Sequence, residues 1–235
     1  MISVILSTNN EIRNGYLEAI LKSIENQDTD YEIIVVDNDS SDDTVKLCKK
    51  YTKQVYNLPN SNRAQRFNHG MEKAKGDIVL FHHAVTLMRD TSFPYIEEFI
   101  KTGWVWWGFI HSFDHNHWLL RFTSWYSNNI RGKRWILYSD HLIFGKKEAF
   151  KSVGWFPNMD VVEETPLCAS MRKKYGKPKI IPYTVITSAR RFVWRGMYKH
   201  ALLNQYIKLG FYLWLSDRIM NKHYEKKDWF NVKYK

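Results

Sequence analysis

The stretch Gly76–Thr86, GDIVLFHHAVT, limits the fold more than any other part of the chain. Asp77–Phe81 is a short, unbroken apolar run after a Lys-Gly turn, the pattern of a strand buried on both faces. In an open α/β sheet, ligands sit just beyond the carboxyl ends of the strands. The polar residues that follow at once, His82–Thr86, are therefore expected to border whatever the chain binds.

Three similar runs precede it: Ile2–Leu6, Tyr31–Val36 and Val55-Tyr56. The first two end in polar clusters, Ser7–Glu11 and Asp37–Thr44. Between them, Leu17, Ile20, Leu21 and Ile24 recur at helical spacing. Ser40 with Asp43 predicts a capping box opening a helix through Tyr51. Asn62–Lys75 reads as a helix with Arg63, Arg66 and Asn68 near its start. Strands alternating with helices at this spacing predict βαβ units and a doubly wound, mostly parallel sheet.

The second half is less regular. Trp104–Ile110 and Tyr138–Phe144 read as strands, with His111–Trp118 a polar, histidine-rich loop between them. A helix through Val153 and a turn at residues 154–157 follow. Glu163–Tyr175 reads as a helix, Lys179–Ile186 as a strand leaving into Thr187–Arg191. Met197–Ile219 reads as one long helix with a polar stripe at His200, Asn204 and Lys208.

Composition narrows the class. The 235 residues are 44% apolar, which supports a substantial core. No apolar stretch approaches the roughly 20 residues of a membrane-spanning helix, and with the first strand-like run at Ile2 a signal peptide is not expected. Cys48 and Cys168 form no spacing motif and are expected as buried thiols in a reducing compartment. The expected location is the cytoplasm. The net charge of +11 is uneven: residues 190–235 hold eleven Lys/Arg against three Asp/Glu. That end either faces phosphates, on lipid headgroups or an anionic substrate, or is a solvated basic tail.

Four clusters carry chemistry if the strand exits converge. Thr8 with Glu11, and Asp37 with Asp39, are placed to hydrogen-bond a ribose or a base edge, or to serve caps and turns. Arg63 and Arg66 at a helix start suit a diphosphate, or are surface charge. Glu163-Glu164 offers a general base, or an acidic first turn favoured by the helix dipole. The absence of GxGxxG and GxxxxGK[ST] disfavours dinucleotide and P-loop folds. No nucleic-acid-binding motif is present.

The ordered set SVILSTNNE, EIIVVDNDSSDDT, NRAQRFNHG, AKGDIVLFHHAVT, YSDHLIFGKKEAF, VGWFPNMDVVEE and TSARR resembles family 2 glycosyltransferases of the GT-A fold. Within them it is most similar to a subgroup with the motifs FLHADT, GDQ, ED and TSARR. The resemblance covers roughly residues 2–195. It implies a single domain over 1–195, with a nucleotide-binding half (1–90) and an acceptor and catalytic half (91–195). Residues 196–235 form a basic, aromatic helical extension.

The resemblance implies an inverting transfer of sugar from a nucleotide-sugar to a glycan, lipid-linked or small-molecule acceptor. Thr8, Glu11, Asp37, Asp39, Arg63, Arg66, Asn68 and His83 would hold the donor. Glu164 would be the base, with Glu163 and Asp140 next in line. His141, Arg190 and Arg191 would face the acceptor or diphosphate. An anionic membrane surface is a second expected partner for residues 190–235, placing the chain on an inner membrane face. Val85 stands where the family's metal-binding Asp is usual, and His83 replaces the first Asp of that motif. Dependence on Mg²⁺ or Mn²⁺ is therefore open, because valine supplies no ligand. His111, Asp114, His115 and His117 are an alternative cluster for a transition metal. A catalytically inactive domain that binds a nucleotide or sugar is the rival reading.

Overall fold

The computed structural model describes residues 1–12, 15–89, 92–134 and 136–224. The first half alternates as expected: β1 (Ile2–Thr8), α1 (Leu17–Glu25), β2 (Tyr31–Asp37), α2 (Thr44–Cys48), β3 (Val55–Asn57), α3 (Arg63–Lys73) and β4 (Ile78–His83). The second half runs β5 (Thr86–Leu87), α4 (Ser92–Ile100), β6 (Trp106–Phe113), α5 (Trp118–Tyr126), α6 (Gly132–Arg134), β7 (Phe144–Lys146) and α7 (Lys147–Lys151). It ends with α8 (Glu164–Tyr175), β8 (Lys179–Thr187), α9 (Arg190–Arg195), α10 (Met197–Tyr212) and α11 (Asp217–Tyr224). A π-helical turn, Ser127–Arg131, joins α5 to α6, and a 3₁₀ turn, Ser139–His141, precedes β7.

The eight strands form one sheet in the order β3-β2-β1-β4-β7-β6-β8-β5. β3, β2, β1 and β4 are parallel neighbours, and β6 pairs parallel with β8. β7 runs antiparallel to both β4 and β6, and β5 antiparallel to β8. This mixed, mostly parallel sheet with helices on both faces is the expected GT-A architecture.

The period of two along the central strands divides the core into two layers. Val4, Leu6, Ile33, Val35 and Leu80 face one side, packing on Leu17, Ile20 and Leu21 of α1 and on Phe93 and Ile96 of α4. Ile5, Ile34, Val36, Val79 and Phe81 face the other, under Phe67 and Met71 of α3 and Leu167 and Met171 of α8. α3 lies unusually close to β1: a Cβ at Gly70 would sit 2.2 Å from Ile5 Cγ2. The absence of a side chain at 70 is what lets that helix seat over the sheet. Cys48 and Cys168 are both buried free thiols, as expected.

Several local expectations change. Asp37 takes Ser40, accepting from its hydroxyl at 2.6 Å and its amide at 2.7 Å. Ser40 therefore caps nothing; α2 starts after Asp43, without a side-chain cap, and spans only Thr44–Cys48. The expected strand over 138–144 is a 3₁₀ turn followed by β7. Leu142, at φ +48°, interrupts extended backbone there. The expected histidine-rich loop is shorter, because β6 continues through His111 to Phe113 and α5 begins at Trp118. The long C-terminal helix divides: α10 ends at Tyr212, Trp214 adopts φ +58°, and α11 follows. Residues 225–235, including the basic end of the tail, lie outside the described residues.

Candidate active site

Parallel register brings the first four strand exits side by side. Thr8 pairs across from Asp37, Asp37 from Asn57, and Ser7 from His83. Thr8 and Asp37 are fully buried and bonded to each other, Thr8 Oγ1 donating to Asp37 Oδ1 at 2.6 Å. Asp39 sits in the left-handed region, φ +51°, and exchanges two 3.1 Å hydrogen bonds with Asn57. Asn10 Oδ1 accepts from the Ser41 amide at 2.9 Å, and Thr44 Oγ1 accepts from the Glu11 amide at 2.8 Å. The two acidic exits thus form one braced rim, with Asn57 a participant that sequence reading missed.

The start of α3 is fixed by a complete capping box: Asn62 accepts from the Gln65 amide, and Gln65 accepts from the Asn62 amide. That fixes the two arginines. Arg66 donates to Ser7 Oγ at 2.7 Å and to the Ser61 carbonyl at 2.5 Å, tying the β1 exit to the segment before α3. Arg63 reaches the other way, 2.5 Å to Glu163 and 3.0 Å to Glu164. Asn68 lies further along, its amide holding the Phe156 backbone through both N–H and C=O. Asn68 is thereby a brace between α3 and the turn at 156 and not a free polar group.

Glu163 and Glu164 stand at the start of α8, both buried. Val162 before them adopts φ +55°, a costly conformation for a β-branched residue. Both carboxylates that follow it meet Arg63 of α3. Glu164 Oε1 accepts from Arg63, from the Ser139 amide at 3.2 Å and from the Ser139 hydroxyl. Glu163 Oε2 has no hydrogen-bond partner. Burial, opposed by Arg63 and assisted by Glu164, pushes the Glu163 pKa up to about 7.

His83, at the β4 exit, lies among Arg63, Arg191 and Arg190. Burial first, and then those cations, holds its pKa well below the usual value, so it is a neutral imidazole. Its neighbour His82 is fully buried, both ring nitrogens without hydrogen bonds, and burial lowers its pKa to about 4. The sequence-distant exit of β8 closes this edge: the Ser188 amide donates to the Val85 carbonyl at 2.9 Å, and Thr86 and Thr187 hydroxyls meet at 3.2 Å. Arg190 then lies 3.8 Å from Glu11. A hard divalent cation needs several oxygen ligands. Val85 offers none, and three arginines stand beside His83, so these residues do not fit such an ion.

The acceptor-side residues form a second group. Asp140 lies 3.5 Å from His111 Nε2. Burial raises the Asp140 pKa, but His111, His141, Arg131 and Lys208 together bring it below the usual carboxylate range. His141 Nδ1 donates to the Phe109 carbonyl at 2.8 Å, which leaves Nε2 to accept from Ser127 at 2.9 Å and Arg131 at 3.1 Å. Lys208 of α10 reaches over the Tyr138 ring at 5.4 Å, and burial lowers its pKa to about 8.

His111, Asp140 and His141 are close enough together to share an ion. The fit is poor, since both His141 nitrogens are engaged and one faces a guanidinium. The expected cluster of His111, Asp114, His115 and His117 does not assemble. His111 is buried in β6, Asp114 accepts from Tyr16 and the Ala189 amide, and His117 Nδ1 accepts from the Leu119 amide at the start of α5. Ser139 and Arg131 were missed by sequence reading. Ser139 lies within the YSDHLIFGKKEAF motif but carries no signal of its own there, Arg131 lies in none, and only the folding of the 127–141 segment places them.

Comparison with known proteins gives the family and the fold. The sequence profile of "Glycosyl transferase family 2" matches residues 3–152, more than half of the chain. The chain is 40% identical over 92 residues to the GalNAc(5)-diNAcBac-PP-undecaprenol beta-1,3-glucosyltransferase of Campylobacter jejuni. That match covers 34% of this chain and 28% of the relative. Among solved structures, S. aureus TarS 1-349 in complex with UDP-GlcNAc superposes with a TM-score of 0.65 at 18% identity, covering 80% of this chain and 58% of that one. A Pyrobaculum calidifontis mannosyltransferase in complex with GDP-Man and Mn²⁺ superposes with a TM-score of 0.60 at 20% identity, covering 79% and 56%. The chain thus spans well under two thirds of the length of each of these relatives, and no described helix is long and apolar enough to cross a membrane.

Proposed function

Because this chain belongs to glycosyl transferase family 2, we propose that it moves a sugar from a nucleotide-sugar to an acceptor hydroxyl with inversion at the anomeric carbon. The observation that carries this reading is the convergence of Arg63, Glu163 and Glu164 beside the exits of β1, β2 and β4. Residues 1–90 take the nucleotide along the rim of Thr8, Glu11, Asp37 and Asp39, and residues 91–195 take the acceptor.

In the reaction, the acceptor hydroxyl gives its proton to Glu164 as its oxygen attacks the anomeric carbon. The bond to the diphosphate breaks on the opposite side, and the nucleoside diphosphate leaves with the electron pair. All the hydrogen bonds that hold Glu164 fall on Oε1, leaving Oε2 for the incoming hydroxyl. Arg63, Arg190 and Arg191, gathered around His83, are suited to neutralise the charge that develops on the leaving group. Asp140, ionised by its cationic neighbours, is suited to hold a sugar or acceptor hydroxyl.

The acceptor is a lipid-linked glycan, in keeping with the name of the Campylobacter jejuni relative. The basic residues of 190–235 hold the chain to an anionic membrane surface. Within the family, the motif order is in keeping with a subgroup carrying GDQ, ED and TSARR, although His141 replaces the Gln of GDQ and Glu164 the Asp of ED.

The test is a panel of nucleotide-sugars by thermal shift, with and without Mn²⁺, followed by turnover with the stabilising donor. A shift with transfer or hydrolysis is expected. Val85 favours one rival, a binding module without activity, which gives saturable binding and no turnover. A chain that no nucleotide-sugar stabilises overturns both.

A further inference from the structure

Two helices beside the candidate active site leave apolar faces uncovered. On α5, Trp118, Phe122 and Trp125 are 55%, 54% and 53% exposed, although the same helix buries Leu120 and Ser124 on its other side. Their spacing of four and three residues puts them on one stripe. On α10, Tyr198, Leu202 and Leu209 are 57%, 70% and 58% exposed at positions i, i+4 and i+11, again one stripe, opposite the buried His200, Ile207 and Gly210. Trp214, just past α10, is 94% exposed. The two stripes meet: the Trp118 and Tyr198 rings lie 6.4 Å apart.

An uncovered surface of this size is not what a free-standing soluble domain presents. The charge around it says what covers it. Residues 115–138 and 188–216 contain no Asp or Glu, yet hold nine Lys/Arg between them. Arg121, Lys133, Arg134 and Lys199 are exposed there. Aromatic and aliphatic side chains among exposed cations, on two segments that themselves carry no carboxylate, are complementary to an anionic lipid surface. The surface also borders the acceptor side of the site. A cavity of about 270 Å³ lies against α5, lined by Leu120, Ser124, Asn128 and His111, and His111 faces Asp140.

We infer that α5 and α10 together form a bilayer-facing surface, seating Trp118, Phe122, Trp125, Leu202, Leu209 and Trp214 in the interfacial layer of an anionic membrane. This deepens the lipid-linked acceptor reading and rests on it for the direction in which the cavity opens. It also revises the role of the basic tail. The tail and the rim supply long-range attraction, while the two stripes supply the apolar insertion, half of it from a helix outside residues 190–235.

The test is flotation of the full chain with vesicles of phosphatidylcholine and phosphatidylglycerol at low and moderate salt, with brominated lipid as a depth probe. The chain is expected to float with the anionic vesicles at both salt concentrations and to lose tryptophan fluorescence to the bromines. Trp118→Ser with Trp125→Ser, both solvent-exposed and outside the catalytic groups, should weaken partition roughly tenfold or more. The melting temperature and donor-induced thermal shift of that variant should match those of the parent chain. Failure of the parent chain to float overturns the inference. So does equal flotation of the variant, which leaves the tail as sole anchor, or a concentration-dependent dimer that the same substitutions abolish. Flotation without sugar transfer would uphold the membrane surface and sink the enzymatic reading, and transfer without flotation would do the reverse.

Discussion

Arg63 donates to Glu163 at 2.5 Å from a position 100 residues earlier in the chain. The contact joins the start of α3 to the start of α8 across the strand exits, and its second arm reaches Glu164 at 3.0 Å. One guanidinium thus keeps two adjacent buried carboxylates in place while remaining 27% exposed toward the cleft. Residues of the first 90 and of 91–195 are electrically joined at this point.

Arg63→Met should therefore destabilise the fold as well as abolish transfer. Removing one partner of a buried ion pair leaves uncompensated charge, at a cost of about 3–5 kcal/mol. Denaturant titration of the variant reads the loss directly. A variant as stable as the parent chain would mean that other cations hold the pair.

Glu163 predicts a pH dependence of stability. Its pKa is raised by burial from the model-peptide value of 4.5 to about 7. Between those values the folded chain holds a proton that the unfolded chain has released, so the group's contribution is greatest at the low end and falls as pH rises to about 7. Above that it is constant. Melting curves of the parent chain and Glu163→Gln should diverge by a few degrees across this window, the parent losing ground as pH rises. Parallel curves would show that Glu163 is ionised throughout.

Glu164→Gln should reduce transfer by roughly 10²–10⁴. The amide keeps an acceptor for Ser139 and for Arg63, so donor-induced thermal shift should remain near that of the parent. Initial rates and melting shifts on the same preparation separate the two effects. Turnover close to normal would move the base to Glu163 or Asp140.

Excess EDTA should lower the activity but not abolish it. Val85 gives a divalent cation no ligand, and the arginines near His83 are placed to neutralise a diphosphate. Initial rates in EDTA are expected within roughly tenfold of those with added Mn²⁺, the range open to a metal held by the diphosphate alone. Complete loss, fully restored by metal, would show that another residue has taken the carboxylate's place.

Much of the fold was legible before any coordinates. β1, β2 and β4 appear as apolar runs because their residues are buried on both faces, and burial leaves its mark in composition. Their exits were legible for the same reason: Thr8, Asp37 and His83 stand where apolar character stops. Reading failed where the pattern was local but the outcome was not. Ser40 looks like a helix cap, yet Asp37, held by Thr8, takes its hydroxyl first. His111 looks like part of a polar loop with His115 and His117, yet the strand continues through it.

The sequence by itself determined the alternating strands and helices of the first half and the basic bias of the last 46 residues, because periodicity and charge are properties of neighbouring positions. Only the tertiary structure decided the rest: that Arg63 meets Glu163, that Ser139 meets Glu164, that Asp140 faces His111, and that the stripe on α5 runs on into that on α10. Those pairings depend on strand register, on the strained turns at Val162 and Leu142, and on how closely helices seat on the sheet. Such quantities are set by packing between residues far apart in the chain, and no local pattern records them.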